Sequence, residues 1–386
     1  MSRDRSVSAV HHLATPLSLL ALVACSSAPP SSSPESTTST QSQALADDSG
    51  GAVFTSDNAS EANHVLAFRR SADGELTAAG TFATGGTGAG AGLGTQGALA
   101  LDAQRGLLVV VNAGSDDISS FTVDGASLTL RSRVSSGGVT PDSVAIEGHL
   151  VYALNGGSPA SVSGFWLGDD GRLSPLPAST HALSGPAVAP AQVAFTPGGG
   201  ELVVTEKGTN DIDLLPLGWT GTPRELVTFP SAGATPFGFA FANGGALVVS
   251  DAFGGTPGAG ALSSYALDGQ GRLADVSPAV PDGQTAPCWV ASSGDGRVAV
   301  TANAHSGTIT SYGVHDDGSL VARATASTGA GSTPLDLAFD PRSEHVYVLD
   351  VGTGGIDVFT VGADGALTMV TTAAGVPASA AGLVVR

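Results

Sequence analysis

Lysine is almost absent from this chain of 386 residues: Lys207 is the only one. Lysine and arginine together number 15 against 34 aspartates and glutamates, a formal net charge of −19. The arginines are scattered rather than gathered on one face, so the basic footprint of a nucleic-acid binder is missing. Cysteine is nearly as scarce, with Cys25 and Cys288 alone. A disulfide-stapled fold is thereby excluded, and an apolar core has to hold the chain together. A membrane-spanning run is also lacking. The apolar stretch at the amino end, Leu13 to Ala24, matches a signal-peptide core and falls short of the roughly 20 residues that a spanning helix needs.

Chemical motifs are lacking as well. There is no Gly-x-Ser-x-Gly nucleophile elbow and no His-Glu-x-x-His zinc helix. Gly92-x-Gly94-x-x-Gly97 spells a dinucleotide fingerprint, but it leads into the strand-like Ala98 to Leu101 rather than into a helix. The surrounding loop, Gly85 to Gly97, has none of the acidic residues of calcium-binding glycine repeats and reads as a mobile excursion. Paired acids, Asp116 with Asp117 and Asp211 with Asp213, read as solvated loop charge, with weak divalent-cation binding as the alternative. No cofactor is expected.

What the chain does have is a repeat. Asp-Gly pairs stand at Asp73, Asp124, Asp170, Asp268, Asp317 and Asp364, each followed within a few residues by leucine. They recur about every 48 residues, with one copy skipped. Asp-Gly supplies the positive φ angles of a tight hairpin. Leu217-Gly218-Trp219-Thr220-Gly221 fills the skipped place. Ahead of each hairpin runs a short apolar stretch ending in a polar residue, then an alternating segment ending in an aromatic or aliphatic side chain. A third piece precedes both: Pro, two variable residues, an aliphatic and Ala, as in Pro141-Asp-Ser-Val-Ala, Pro190-Ala-Gln-Val-Ala and Pro334-Leu-Asp-Leu-Ala. Four strands per repeat and seven repeats predict an all-β protein, a seven-bladed β-propeller with four-stranded antiparallel blades. The first repeat starts at its second strand, near Ala52. The surplus segment from Ser379 is therefore expected to join blade one as its innermost strand and close the ring.

The first 50 residues lie outside that pattern. Residues 1–24 form an export signal. Leu22-Val23-Ala24-Cys25 resembles the lipobox of bacterial lipoproteins, which implies that Cys25 carries lipid and that residues 25–50, rich in Ser, Thr and Pro, tether the 51–386 propeller to the cell envelope, at the outer membrane or facing the periplasm. Ordinary secretion is the alternative. The membrane would be reached through the lipid alone, and the propeller is expected to be a monomer.

Strings such as LVVVNAGSDDISSF, LVVTEKGTNDIDLL and VYVLDVGTGGIDVF, each with its hairpin turn, resemble the lactonase-like seven-bladed propellers, which include propeller-type 6-phosphogluconolactonases and carboxymuconate-lactonizing enzymes. The resemblance implies a ligand site on the face where second strands end and innermost strands begin. The polar strand ends there are Asp57, Asn112, Asn155, Glu206, Asp251, Asn303 and Asp350. Turn chemistry is the ordinary role of such residues. Glu206 and Asp251 depart from the Asn of neighbouring blades and, with His305, are the candidate catalytic groups. Asn112, Asn155, Asn303, Lys207 and Asp350 are the candidate ligand-binding groups. Asp142, Gln192, Cys288, Trp289 and Asp336 follow the repeated prolines and are placed near the channel mouth. Family enzymes carry histidine and arginine on that face, whereas here Arg172 and Arg272 fall beside outer hairpins. Two functional classes follow: hydrolysis of a small lactone, or a non-catalytic surface module for a glycan, peptide or partner protein.

Overall fold

The computed structural model describes residues 50–268 and 271–386. The export signal, Cys25 and most of the tether lie outside the described residues. The described chain forms seven four-stranded antiparallel sheets in sequence order, except that the last strand, Ala381–Val385, pairs with the first, Ala52–Ser56. Ring closure is the one expected from the surplus carboxyl-terminal segment. Blade three departs slightly: its outer strand is broken into Leu173–Pro175 and His181–Ala182, both paired to Ser161–Leu167.

Second strands such as Leu107–Asn112 and Val298–Asn303 are buried along their whole length. They lie between neighbouring blades, which is why they read as unbroken apolar runs. Outer strands such as Leu320–Ser327 are exposed over most of their length, apart from the buried Leu320 and scattered half-buried positions, because solvent takes most of that edge. All four tyrosines, Tyr152, Tyr265, Tyr312 and Tyr347, are fully buried at or below 1% exposure. Each hydroxyl is nevertheless paired: that of Tyr152 donates to the Gly221 carbonyl at 2.6 Å and that of Tyr347 to the Gly74 carbonyl at 3.0 Å. A buried ring with a satisfied hydroxyl joins one blade to the hairpin of the next. Ser120 and Ser311 make the same bond to Gly171 and Gly365, both at 2.6 Å.

The outer hairpins correct one detail of the sequence reading. Only glycine takes positive φ there, as at Gly171 (80°), Gly318 (81°) and Gly365 (84°). The preceding aspartate instead accepts a backbone N–H two residues on, Arg172 N–H to Asp170 at 3.0 Å and Ala366 N–H to Asp364 at 3.0 Å. Aspartate is selected as a side-chain acceptor in the turn, not for its own backbone angle. The skipped copy has the same frame, with Gly218 N–H bonded to the Thr222 carbonyl at 2.7 Å and Gly221 N–H to the Gly218 carbonyl at 2.8 Å.

Candidate functional site at the channel face

The repeated proline motif builds the mouth of the central channel. Each innermost strand of blades three to seven carries a register shift just after its proline, between Pro141 and Ser143 in blade three and between Pro190 and Gln192 in blade four. Such a bulge re-aims the side chains that follow it. The residue before the proline holds positive φ in four blades: Thr140 (52°), Ala189 (44°), Thr235 (58°) and Ala286 (55°). Its carbonyl accepts from the residue after the second strand, as in Gly156 N–H to Thr140 at 2.9 Å and Ala304 N–H to Ala286 at 3.0 Å. Strand exit and strand entry are therefore fastened together on one face, as the family resemblance implied.

The polar strand ends are engaged by side chains and backbone groups around them. Glu206 has no solvent exposure and accepts from Ser184 Oγ at 2.5 Å and Thr209 Oγ1 at 2.8 Å. Asp251 is equally buried and accepts from Ser263 Oγ at 2.5 Å. Asn112 donates to Asp117 at 2.6 Å and Ser119 at 2.9 Å. Asn303 does the same with Thr308 and Thr310, and Asn155 reaches Ser163 at 3.5 Å. Asp350 accepts the N–H groups of Thr333 and Gly352 at 2.8 and 3.0 Å. Asp57 pairs with His64 at 2.8 Å. Substrate could reach none of the buried six without displacing these bonds. His305 is exposed, beside Gly255 of the neighbouring loop. Asp117 is bridged by Arg133, at 2.8 and 2.6 Å, and Asp213 is buried against Thr228, so neither acid pair offers an open cation cradle.

The glycine-rich loop overturns the expectation of a mobile excursion: its end enters the channel mouth and is bonded there to blades three, four, six and seven, Thr95 Oγ1 donating to the Asp142 carbonyl of blade three at 2.8 Å. The Gln96 side chain donates to the Val290 carbonyl at 2.7 Å and accepts the Val290 N–H at 2.9 Å. Trp289 Nε1 donates to the Thr95 carbonyl at 2.9 Å, Gly97 N–H to Asp336 at 3.2 Å, and Lys207 Nζ to the Gly94 carbonyl at 2.5 Å. Gly238 lies so close to Gln96 that a Cβ there would collide with its amide oxygen. Nothing in the loop's own residues signals this plug, because a loop without acidic or apolar pattern carries its partners in other blades. Gln96 of the plug also lines a cavity of ≈ 310 Å³, together with Gln192, Asp336, Val144, Phe195 and Leu337.

Beside the plug stand two ionisable groups, Asp142 and Lys207. Asp142 is buried, its Oδ1 has no hydrogen-bond partner, and Gly156 packs against its other oxygen. Burial pushes its carboxyl up to about 8, a rise that the Lys207 charge reduces. Lys207 is half-buried, its Nζ 4.5 Å from the centroid of the Phe237 ring. Desolvation lowers its ammonium below the usual lysine range, against the opposing fields of Asp142 and Cys288. Cys288 is a free, buried thiol pushed up to about 12 by burial. Asp142 and Lys207 were each legible as polar residues of this face; that each lies within the other's field was not, since it depends on how blades three and four meet.

A closed ring of seven four-stranded blades with its polar mouth at the innermost strand entries is the architecture of the propeller lactonases. The sequence matches the family described as Lactonase, 7-bladed beta-propeller over residues 58–189 and 252–381, and the chain belongs to it. No curated protein sequence matches the chain. Solved structures with the same fold include a candidate 6-phosphogluconolactonase of Bacteroides fragilis, 18% identical with a TM-score of 0.70 over 88% of this chain and 98% of the other. A Lactobacillus plantarum protein is 20% identical with a TM-score of 0.73, covering 87% and 99%. The periplasmic gluconolactonase of Pseudomonas aeruginosa is 18% identical with a TM-score of 0.68, covering 87% and 98%.

Proposed function

We propose that this propeller hydrolyses a small lactone bearing no phosphate or carboxylate, at the channel mouth beside the plug. One observation carries the reading: Asp142 and Lys207, half-buried or buried together, are moved toward neutrality from opposite directions, the signature of an acid–base pair in a working site. Ionised Asp142 takes a proton from water as it attacks the carbonyl carbon. Lys207 polarises the carbonyl oxygen and steadies the oxyanion. The ring C–O bond then breaks, and the Asp142 proton passes to the departing alkoxide. Asp142 and Lys207 already share one field, and Arg133 is neutralised by Asp117. Neither of these two cations is therefore left over for a phosphate.

In this reading Glu206 and Asp251 hold their blades and His305 is a solvent-facing loop residue. Turnover of neutral lactones by the purified protein, followed by pH-stat, tests the assignment. Asp142→Asn is expected to lower kcat by about 100-fold or more, and Lys207→Met by a similar order, while His305→Ala leaves kcat within about twofold. In the unaltered protein kcat/KM should rise as pH passes about 8, where Asp142 ionises. It should fall again as Lys207 loses its proton. Full activity in Asp142→Asn overturns the assignment. Absence of turnover with every lactone favours the surface binding module, which the plug's occupation of the Lys207 ammonium also suits.

A further inference from the structure

Val144 and Glu147 lie on the innermost strand of blade three, Pro141–Glu147, and Gln192 and Phe195 on that of blade four, Pro190–Phe195. All four line the cavity of ≈ 310 Å³ that Gln96 borders, and Leu99, Leu337 and Leu383 bring in the innermost strands of blades two, seven and one. Three residues of strand rise about 10 Å, so the cavity follows the ring axis from just inside the mouth to the strand ends at the opposite face. We propose that it binds a small aliphatic amine as the ammonium ion, which enters from that opposite face past Glu147 and meets Asp336 at the inner end.

The lining selects that ligand by what its polar groups have left to offer. Gln96 is paired with the Val290 backbone at 2.7 and 2.9 Å, and Gln192 is paired in the same way with the Phe239 backbone at 2.7 and 3.1 Å. The other polar side chains of the cavity are two carboxyls. Asp336 stands two residues after its proline, at the level of Gln192, and is 3% exposed. Its oxygens accept the Gly97 and Gly382 N–H groups at 3.2 and 3.1 Å, contacts that suit a carboxylate and leave each oxygen a further lone pair. Glu147 is exposed at the far end of its strand, beside Gly199 of the next blade. Among the described residues no lysine, arginine or histidine lines the cavity, so its charge has one sign. An anion is repelled at both ends. A neutral chain gains only the apolar walls. An alkyl ammonium gains the walls for its chain and a charge-assisted bond for its head, and it gives the buried carboxylate a counter-charge. The volume is at the lower end for a small-molecule site, and the plug seals the mouth with Gln96, so the strand-end face is the way in.

Neither Asp142 nor Lys207 lines this cavity, so the inference stands whether or not the protein turns over lactones. Calorimetric titration of the full chain compares n-hexylamine with 1-hexanol and hexanoate at pH 8, above the value of about 7 to which burial raises Asp336. Hexylamine should bind one to one and at least about tenfold more tightly than hexanol, the gain of a charge-assisted over a neutral hydrogen bond, while hexanoate gives no saturable heat. Asp336→Asn should bring hexylamine to within about threefold of hexanol. Because Asp336 also fastens the plug and the closing strand, a second variant acts from the wall: Ala194→Phe, at a half-buried lining position, should abolish binding while circular dichroism shows an intact fold. Hexylamine bound no better than hexanol overturns the proposal. So does equal binding of hexylamine by Ala194→Phe, which would assign the heat to the acidic surface rather than to the cavity.

Discussion

The pairing of Glu206 with Asp213 shows how one position can be solved differently from blade to blade. In blades two and six the strand end is an amide meeting a hydroxyl, Asn112 with Ser119 and Asn303 with Thr310, both at 2.9 Å. Blade four puts two carboxyls together, and burial with the neighbouring Glu206 drives the Asp213 carboxyl well above the carboxylate range. Blade seven repeats the arrangement with Asp357, raised to about 6, beside Asp350. Asp142, Asp251 and Asp336 are also raised, to about 8, 7 and 7. In each case the folded protein keeps a proton that the unfolded chain releases near pH 4. Their contribution to stability is complete below about pH 4 and is lost as pH climbs through 6 to 8. Tm should therefore fall between pH 5 and pH 8.5. Asp213→Asn, which keeps the acceptor for Thr228 (2.7 Å now) and offers Glu206 a permanent donor, should flatten that fall and raise Tm at pH 8.5. A steeper fall in the variant would show that the pair does not share a proton. Sequence showed Glu206, Asp251 and Asp350 as polar strand ends and Asp142 and Asp336 near the channel mouth, but read Asp213, which is fully buried, as solvated loop charge; which of them would be protonated depends on burial between blades, which no local pattern carries.

At the scale of the element, the plug is the least expected part. Strands and hairpins were legible because their residues carry their own periodicity and turn chemistry: Leu107 to Asn112 fixes a buried strand, and Gly171 fixes a turn. The loop Gly85 to Gly97 carries neither. Its structure comes from Trp289, Val290, Asp336 and Lys207, which belong to other blades. Gln96 acts in it as a one-residue strand, giving and taking one bond with Val290. Gln96→Ala leaves both Val290 groups without these partners, at a cost of about 1–3 kcal/mol. Acrylamide quenching can follow the result, because Trp289 is 5% exposed while Trp166 and Trp219 are 49% and 96% exposed. The buried fluorophore, shielded in the unaltered protein, should become accessible in Gln96→Ala. Quenching that does not change would mean that the plug stays seated without its glutamine.

For the whole molecule, the joint between first and last strands decides whether the ring holds. Sequence foresaw it from the missing innermost strand of blade one, but not the arginine that guards it. Ala52 and Arg386 exchange backbone bonds at 3.2 and 2.8 Å. Arg70, 9% exposed, reaches the Arg386 carbonyl at 3.4 Å and Asp340 of blade seven at 3.6 Å, while its Nε has no partner. The guanidinium thus ties blade one to the closing strand and to blade seven at once. Asp340 also takes the N–H groups of Glu344 and His345, at 2.9 and 3.3 Å, and lies 3.3 Å from His345 Nδ1. Although Asp340, Glu344 and His345 come close enough to hold a metal ion, the buried Arg70 charge opposes one, and the group serves the seam. Removing one partner of a buried ion pair leaves the other uncompensated, at about 3–5 kcal/mol. Arg70 makes long bonds, so the lower end applies. Arg70→Met should lower the unfolding free energy by about 3 kcal/mol and speed proteolysis near the carboxyl terminus before elsewhere, because the closing strand is the piece it releases. Arg297→Met, whose 3.2 Å bridge to Asp316 is largely exposed, should change stability by less than about 1 kcal/mol. If urea titrations find the two variants equal, closure rests on the strand's own backbone bonds and the arginine is incidental to it.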